Sequence, residues 1–402
     1  MTAHTGLTPA VLKYKAPDPL VLEFEVQPDR AGFAEPKKSA LFAAASKVDD
    51  LTPWIGTQLH GVQLSQLTDA QKDDLALLVA ERGVVFFKDQ DLTLDGQYEL
   101  TKHYGVQDRD PNQHDPKHVT ILGRDNDRGY ANFGQDFHND HSFELNPPAY
   151  TILRMVKAPP TGGDTIFTSQ VALFDKLSPT YQKLLEPLHG VHSSEVSIPP
   201  RAILPLSSLD NLMVDRLTNI FSQASYINSI NGGGIAFRPP IRTHPITHLK
   251  SLFYNPTFTL HIAELKEAES AHLLSFLREH MHSADDLTVR WRWEAGSVAF
   301  WDNRVVAHRA VPGGYDKRLR EGKRTGVFGE RPIFDAERGV TWGERFAGAG
   351  VGVGEGEEGG RGEGMKRGRS GIWTRNTSIK RWMRMVMRSK RISQGRVTRV
   401  TQ

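Results

Sequence analysis

Two segments far apart in the chain carry residues that could bind one metal ion together. Residues 137–143 read FHNDHSF, which places His138 and Asp140 two positions apart, and residues 301–308 read WDNRVVAH, ending at His308. Two imidazoles and one carboxylate on one face of a first-row metal leave its other positions open, as in non-haem Fe(II) oxygenases. These residue types therefore indicate oxidative chemistry.

Two arginines follow this second segment and could bind an anion next to the metal. Arg320 and Arg324 lie twelve and sixteen residues after His308. A guanidinium offers two parallel hydrogen bonds to a carboxylate or a similar anion. Arg318 and Lys323 crowd the same stretch, so a solvated basic loop is the alternative interpretation.

The spacing of His138 and Asp140 is weak evidence when taken alone, because the chain has 16 histidines. On an extended strand, residues two positions apart point to the same face, so the two side chains could converge on one ion. His141 would then point to the opposite face. We expect His141 to support the site or the fold rather than to bind metal.

The composition limits the kinds of site that the chain can build. Its 402 residues are 38% hydrophobic and 24% charged, which is typical of a globular protein. The absence of cysteine excludes disulfides, thiolate zinc sites, iron–sulfur clusters and cysteine nucleophiles. With no apolar segment resembling a signal peptide or a membrane span, the sequence predicts a soluble, cytoplasmic protein.

The positive charge is concentrated at the carboxyl end of the chain. The net charge is +3, and residues 366–402 hold twelve Lys or Arg and no Asp or Glu, so residues 1–365 carry 3 − 12 = −9. Residues 340–365 are rich in Gly and Glu and predict a flexible linker. The basic tail at 366–402 predicts disorder, and the alternative is an amphipathic helix that binds a membrane surface or nucleic acid.

Helix and strand signals predict an α+β fold with a mainly β core. A capping box at Thr68 to Gln71 begins one helix, Ser178-Pro179 begins a second, and a third is predicted over about 262–281. Short apolar stretches predict strands at 84–87, 150–153, 289–293 and 298–301. We expect a jelly roll with flanking helices over 49–339, preceded by an extended N-terminal arm at 1–48.

The motifs occur in an order that resembles the taurine dioxygenase (TauD/TfdA) family. The matching features are FHNDHSF, the Pro147-Pro148 pair, GGDT at 162–165, and WDNR leading to His308. The resemblance implies a double-stranded β-helix, Fe(II) bound by His138, Asp140 and His308, and a reaction of 2-oxoglutarate and O2 that hydroxylates a small molecule and releases succinate and CO2.

The same resemblance assigns roles to residues around the metal. Arg320, helped by the hydroxyl of Thr165, would bind 2-oxoglutarate, and Arg324 would bind an anionic group of the substrate. Phe258 matches an aromatic residue that packs against the substrate, with core packing as the alternative. Apart from the resemblance, the stretch 203–240, which contains Asn231-Gly232-Gly233-Gly234, predicts a mobile loop over the site.

One motif departs from the family. Relatives that use sulfonates carry His-x-His where this chain has Asp108-Arg109-Asp110, and a carboxylate at Asp110 would repel a sulfonate. Arg324 favours an anionic substrate and Asp110 favours an amine, so a zwitterion satisfies both. Sulfonate use and a step in specialised metabolism both stay open.

A second class of function stays open as well. The chain could be a non-catalytic relative that acts as a binding or regulatory protein through its basic tail, although the intact triad favours an enzyme. Nucleic acid is an unfavoured partner, and the oligomeric state, a homo-oligomer included, is left open.

Overall fold

The computed structural model describes residues 26–108, 115, 117–123, 136–144, 146–193 and 235–346, with backbone alone for 235–237. Its strands are β1 (Lys47–Asp50), β2 (Thr57–His60), β3 (Val84–Phe87), β4 (Gln107–Asp108), β5 (Val119–Leu122), β6 (Pro148–Lys157), β7 (Thr165–Ser169), β8 (Gly190–Ser193), β9 (Ile235–Arg238), β10 (Ile241–Thr243), β11 (Lys250–Leu252), β12 (Thr259–Ile262), β13 (Thr288–Trp291), β14 (Val298–Asp302), β15 (Val306–Ala310) and β16 (Glu321–Phe328).

Helices lie between and around these strands. The α-helices are α1 (Ser39–Ala44), α2 (Asp69–Arg82), α3 (Leu94–Lys102), α4 (Gln170–Asp175), α5 (Pro179–Leu185), α6 (Glu267–His282) and α7 (Trp342–Phe346), and short 3-10 helices cover Arg30–Phe33, Leu64–Gln66, Asp285–Leu287 and Lys317–Leu319. The described residues therefore form a mixed α/β fold. Within that part of the chain, no helix has the length and apolar character needed to cross a bilayer.

The largest sheet has eight strands and supplies one wall of the core. Its order is β1-β2-β3-β14-β6-β16-β4, and β5 also pairs with β16. All neighbours are antiparallel except β2 and β3. One face of this sheet packs on α2, where Val85, Phe87 and Phe300 meet the apolar side of the helix.

The opposite face of the large sheet packs on a three-stranded sheet of order β13-β7-β15. Because side chains alternate along a strand, Val84 and Phe86 point away from α2 and toward this second sheet. Phe86 stacks on Trp291 with ring centroids 4.1 Å apart and meets Phe167 edge-on at 5.5 Å. The space between the two sheets is therefore an apolar core.

The local helix signals are confirmed with one difference. The capping box at Thr68 begins α2, and Ser178 caps α5. The helix predicted from 262 begins instead at Glu267, because Ile262 pairs with Gly190 as the last residue of β12. The strands predicted at 84–87, 150–153 and 298–301 are confirmed, while β13 ends at Trp291.

The structure differs from the sequence prediction in parts of the N-terminal arm and of the Gly/Glu-rich linker. Residues 30–33 and 39–44 are helical, and Lys47 already belongs to the large sheet, so this part of the predicted arm is not extended. At the other end α7 lies within the predicted linker, and the Trp342 N–H donates to Asp175. Helical structure is therefore present beyond residue 339. Residues 1–25 and 347–402 lie outside the described residues.

Candidate active site

The two histidines of the predicted triad are paired through their backbones. The N–H of His138 donates to the carbonyl of His308 at 3.0 Å, and the N–H of His308 donates back at 2.9 Å. This isolated antiparallel bridge pairs His138 with His308 of β15, and the centroids of the two imidazole rings lie 4.3 Å apart. A backbone contact between distant segments therefore places both rings side by side.

Asp140 completes the triad from a turn. Its Oδ1 lies 3.7 Å from Nε2 of His138 and 3.9 Å from Nε2 of His308. One donor atom from each of the three residues lies within 4.8 Å of the others. Asp140 Oδ2 is buried with no hydrogen-bond partner among the described residues, which suits a carboxylate that binds an ion. The three residues fit a 2-His-1-carboxylate centre.

The protonation states of these groups also suit metal binding. Nδ1 of His138 lies 3.0 Å from the carbonyl of Asp136; a carbonyl can only accept, so Nε2 keeps its lone pair for an ion. Burial, together with neighbouring His138, lowers the pKa of His308 to about 3. Burial opposes ionisation of Asp140, but Arg324 and the imidazoles outweigh it and hold the pKa of this carboxyl well below its usual range.

Arg324 lies beside the candidate metal ligands. It stands on β16 opposite Leu153, whose side chain packs between the two sheets, so its own side chain points the same way. Nη1 of Arg324 is 2.8 Å from Oδ1 of Asp140. The structure thus brings together His138, Asp140, His308 and Arg324.

Arg320 and Thr165 lie near each other at the start of β16 and β7. Arg320 is 4% exposed, and its Nε donates to the carbonyl of Gly163 at 2.8 Å. A Cβ on Gly163 would lie 3.0 Å from Cδ of Arg320, and φ is +71° there, so this turn requires glycine. Thr165, two residues further on, is buried and accepts from Nε1 of Trp293 at 2.9 Å.

A second group of ionisable residues lies next to Asp140. Nδ1 of His141 is 3.5 Å from Oδ2 of Asp108 and 3.5 Å from Oε1 of Glu144. Burial opposes protonation of His141, but Glu144 and Asp108 outweigh it and raise its pKa. Asp108 pairs with Gly326, so its side chain points to the same face of the sheet as Arg324.

His141 differs from its predicted position. Residues 140–143 form a turn rather than a strand, and His141 has a φ of 46°. The strand argument for its direction is therefore wrong. The ring still lies beside the candidate metal ligands, between two carboxylates rather than on an opposite strand face.

Three other predicted features have different outcomes. Phe258 is 1% exposed and packs edge-on against Phe143 with centroids 4.9 Å apart, so its described contacts are those of a core residue. Asp110 lies outside the described residues, as does 203–234 of the predicted mobile loop. Their roles stay predictions.

Sequence reasoning missed four buried amides around the turn that carries Asp140: Asn139, Gln170, Asn255 and Asn303. Two of them, Asn139 and Asn303, stand directly beside residues of the quoted motifs, in H-N-D and D-N-R. Their place inside these motifs could have identified both residues from the sequence. Gln170 and Asn255 carry no local pattern, and only the fold brings them to the site.

Residues 47–325 match the model of the family described as taurine catabolism dioxygenase TauD, TfdA family. The chain belongs to this family. It is a 2-oxoglutarate-dependent dioxygenase, and this assignment replaces the alternative of a non-catalytic relative.

Known TauD/TfdA proteins resemble the chain over most of its length. An alpha-ketoglutarate (2-oxoglutarate)-dependent sulfonate dioxygenase of Saccharomyces cerevisiae is 36% identical over 338 residues, which are 78% of this chain and 75% of the relative. An alpha-ketoglutarate-dependent sulfate ester dioxygenase of Pseudomonas putida is 30% identical, over 69% and 88%. The crystal structure of a taurine dioxygenase from Burkholderia xenovorans superposes with a TM-score of 0.56 at 29% identity, over 71% and 92%.

Proposed function

We propose that this dioxygenase uses Fe(II), 2-oxoglutarate and O2 to hydroxylate a C–H bond of a small anionic or zwitterionic molecule, releasing succinate and CO2. The observation that carries the proposal is the convergence of His138, Asp140 and His308 on one point, with Arg324 bound to the same carboxylate. A triad alone would fit many metals. A triad with a guanidinium, in a member of this family, favours oxidation of an anion-bearing substrate.

The chain's own residues have separate tasks in this reaction. His138, Asp140 and His308 would hold the ion, which, when bound, supplies the redox chemistry with O2 and 2-oxoglutarate. Arg320 would bind the distal carboxylate of 2-oxoglutarate, and the hydroxyl of Thr165 would add a hydrogen bond. Holding the ion and 2-oxoglutarate at fixed positions lowers the entropy cost of bringing them together.

The core is proposed to be a double-stranded β-helix. Its two walls would be the eight-stranded sheet, which carries Arg324, and the sheet β13-β7-β15, which carries His308. Ligands from one wall and the anion-binding arginine from the other would then meet between the sheets. The superposition on a taurine dioxygenase supports this architecture.

The substrate is proposed to carry an anionic group for Arg324 and a hydrogen-bond donor or cation for Asp108. A guanidinium has five N–H donors, so its contact with Asp140 is compatible with binding a substrate anion. Asp108 shares the face of the sheet with Arg324. The yeast relative acts on sulfonates and the Pseudomonas relative on sulfate esters, which supports the anionic group.

Succinate release tests the reaction. Full-length protein with Fe(II), 2-oxoglutarate and O2 is screened against sulfonates, sulfate esters, amino acids and aromatic acids, and succinate is measured by mass spectrometry. We expect at least one compound to stimulate release. His308→Ala should abolish it, while His272→Ala, an exposed histidine on α6, should retain it. Unchanged turnover in His308→Ala would contradict the assignment.

Two substitutions test the charge of the substrate. With a zwitterionic substrate, Asp108→Asn should lower kcat/KM on the order of 10-fold, ~1.4 kcal/mol, because the carboxylate no longer faces the cationic group. Asp110→His should raise turnover of sulfonates by removing the predicted repulsion. If the kinetics of both variants equal those of the wild type, the charge argument is contradicted, while the proposed reaction class is unaffected.

A further inference from the structure

The turn that carries Asp140 is held in place by side-chain amides. Asn139, Gln170, Asn255 and Asn303 are each no more than 1% exposed, and together we call them the amide clamp. Residue 138 is bound to β15 by backbone hydrogen bonds, but residues 140–143 leave the strand and form a turn. Their buried backbone groups need partners other than a sheet neighbour.

Asn303 supplies those partners to Asp140 itself. Its Oδ1 accepts from the Asp140 N–H at 2.9 Å, and its Nδ2 donates to the Asp140 carbonyl at 3.0 Å. The same Nδ2 also lies 3.1 Å from the carbonyl of Pro148 at the start of β6. One side chain therefore binds both backbone polar groups of the carboxylate ligand, as a neighbouring strand would.

Asn139 and Gln170 bind each other beneath the turn. Nδ2 of Asn139 donates to Oε1 of Gln170 at 2.8 Å, and Nε2 of Gln170 donates back to Oδ1 of Asn139 at 3.1 Å. The same Asn139 nitrogen lies 2.8 Å from the carbonyl of Asn303 and 2.9 Å from that of Val306, which precedes His308 by two residues. This amide pair joins the Asp140 turn to the strand that carries His308.

Asn255 holds the turn from the other side. Its Nδ2 donates to the carbonyl of Asn139 at 2.9 Å and lies 2.8 Å from Oγ of Ser142. The residues before and after Asp140 are thus bound by one amide, while Asn303 binds Asp140. The backbone around the ligand is fixed on three sides.

We propose that the amide clamp positions Asp140 for metal binding, with Asn303 as the principal positioning residue. A carboxamide both donates and accepts without charge, so it can satisfy an N–H and a carbonyl at once in a buried site. A carboxylate could accept but not donate. The inference rests on the proposed function, because it assumes that Asp140 binds the ion.

Metal affinity tests the clamp without turnover. Asn303→Asp keeps the side-chain shape but removes the donor to the carbonyls of Asp140 and Pro148. We expect Mn(II) and Co(II) to bind about 10–100-fold more weakly, as is typical when a partner of a metal ligand is lost. Calorimetric titration gives the affinity, and the Co(II) absorption spectrum should change because the ligand geometry changes.

Two further variants separate positioning from general destabilisation. Gln90→Glu is the matched control, since within the described part of the chain this buried amide binds only backbone groups of Val62, Leu64 and Lys88. Its Mn(II) affinity should stay within about 2-fold of the wild type. Gln170→Met tests the next amide if Asn303→Asp does not fold, and should also weaken Mn(II) binding. Circular dichroism confirms that each variant is folded.

Each outcome bears on one of the two proposals. Wild-type protein that binds neither Mn(II) nor Co(II), with His308→Ala behaving identically, would overturn the proposed metal centre. Wild-type binding with equal affinity and spectrum in folded Asn303→Asp, or in folded Gln170→Met if Asn303→Asp does not fold, would overturn the positioning role alone. An equal loss of affinity in Gln90→Glu would also overturn it.

Discussion

Asp302, Asn303 and Arg304 are consecutive, yet their side chains enter two different polar regions. Asn303 belongs to the amide clamp, which is uncharged and binds the Asp140 turn. Asp302 and Arg304 belong to a charged cluster with Asp29 and Glu330 on the other side of the same segment. The clamp binds the backbone of the proposed metal ligand Asp140, whereas the cluster binds the N-terminal segment to the sheet.

The charged cluster is built around Arg304, which is 1% exposed. Its Nη1 lies 2.6 Å from Asp29, and its Nε and Nη2 lie 2.8 and 2.6 Å from Asp302. Nε2 of His244 is 3.0 Å from the same Asp302 carboxylate. Burial opposes ionisation of Asp302, but Arg304 and His244 outweigh it and hold its pKa below the usual range.

The two regions differ in how strongly their interactions depend on pH and on each individual partner. Neutral amides keep their hydrogen bonds over a wide pH range, so they suit a turn whose geometry must not vary. Buried charges depend on every partner, because removing one leaves the others uncompensated. We therefore expect the clamp to control metal affinity and the cluster to control stability.

Arg304→Met should have the largest effect on stability. It leaves Asp29 and Asp302 buried without their guanidinium, and breaking a buried pair costs about 3–5 kcal/mol of unfolding free energy. Urea unfolding followed by circular dichroism measures this loss. Mn(II) affinity of the folded variant should fall less than that of Asn303→Asp. An equal fall in Mn(II) affinity in both variants would contradict the expected difference between the cluster and the clamp.

Acid should weaken the cluster through Glu330, which faces Arg242, Arg304 and His244. Burial opposes its ionisation, but Arg242 and then Arg304 outweigh it and lower its pKa from 4.5 to about 2. The native state therefore binds fewer protons than the unfolded state in this window, and stability is lost as pH falls from about 4.5 toward 2.

Glu330→Gln isolates this contribution. Because the Glu330 side chain is 30% exposed, we expect it to account for about 1–2 kcal/mol of the loss in unfolding free energy between pH 7 and pH 3. Unfolding free energies at several pH values should converge for wild type and variant at low pH. Parallel curves for the two proteins would contradict this role.

Tyr150→Phe should have the smallest effect. It removes the hydroxyl that donates to Asp29 at 2.7 Å but keeps the ring under Arg304, whose guanidinium carbon lies 4.7 Å from the ring centroid. We expect a loss of about 1 kcal/mol in urea unfolding, the usual net value of one hydrogen bond. A loss as large as that of Arg304→Met would show that the charges are not the dominant partners of Asp29.

Features encoded within a few residues could be predicted from the sequence. The capping box at Thr68 and the strand at 84–87 depend on local hydrogen bonds and apolar runs, and the structure has both. The convergence of His138, Asp140 and His308 followed from family resemblance, not from local spacing. The argument that residues two apart on a strand share one face selected His138 and Asp140. Residues 140–143 form a turn, so strand geometry does not explain why these side chains converge.

Features that join distant segments could not be predicted. Asn139 contacts Gln170, Asn255 and Asn303, which are 31, 116 and 164 residues away. No periodicity relates such positions, since their proximity depends on which strands pair. The late start of α6 has the same origin, because Ile262 belongs to a strand only through its pairing with Gly190.

Asp29 also bears on where a shortened version of this protein should begin. Family similarity starts at residue 47, which would suggest cutting the chain there. Such a cut removes Asp29, which pairs with Arg304 and accepts from the hydroxyl of Tyr150. It also removes Arg30 and Lys38, which pair with Asp73 and Glu81 of α2. We expect shortened proteins that begin before Asp29 to fold, and those that begin at residue 47 to aggregate.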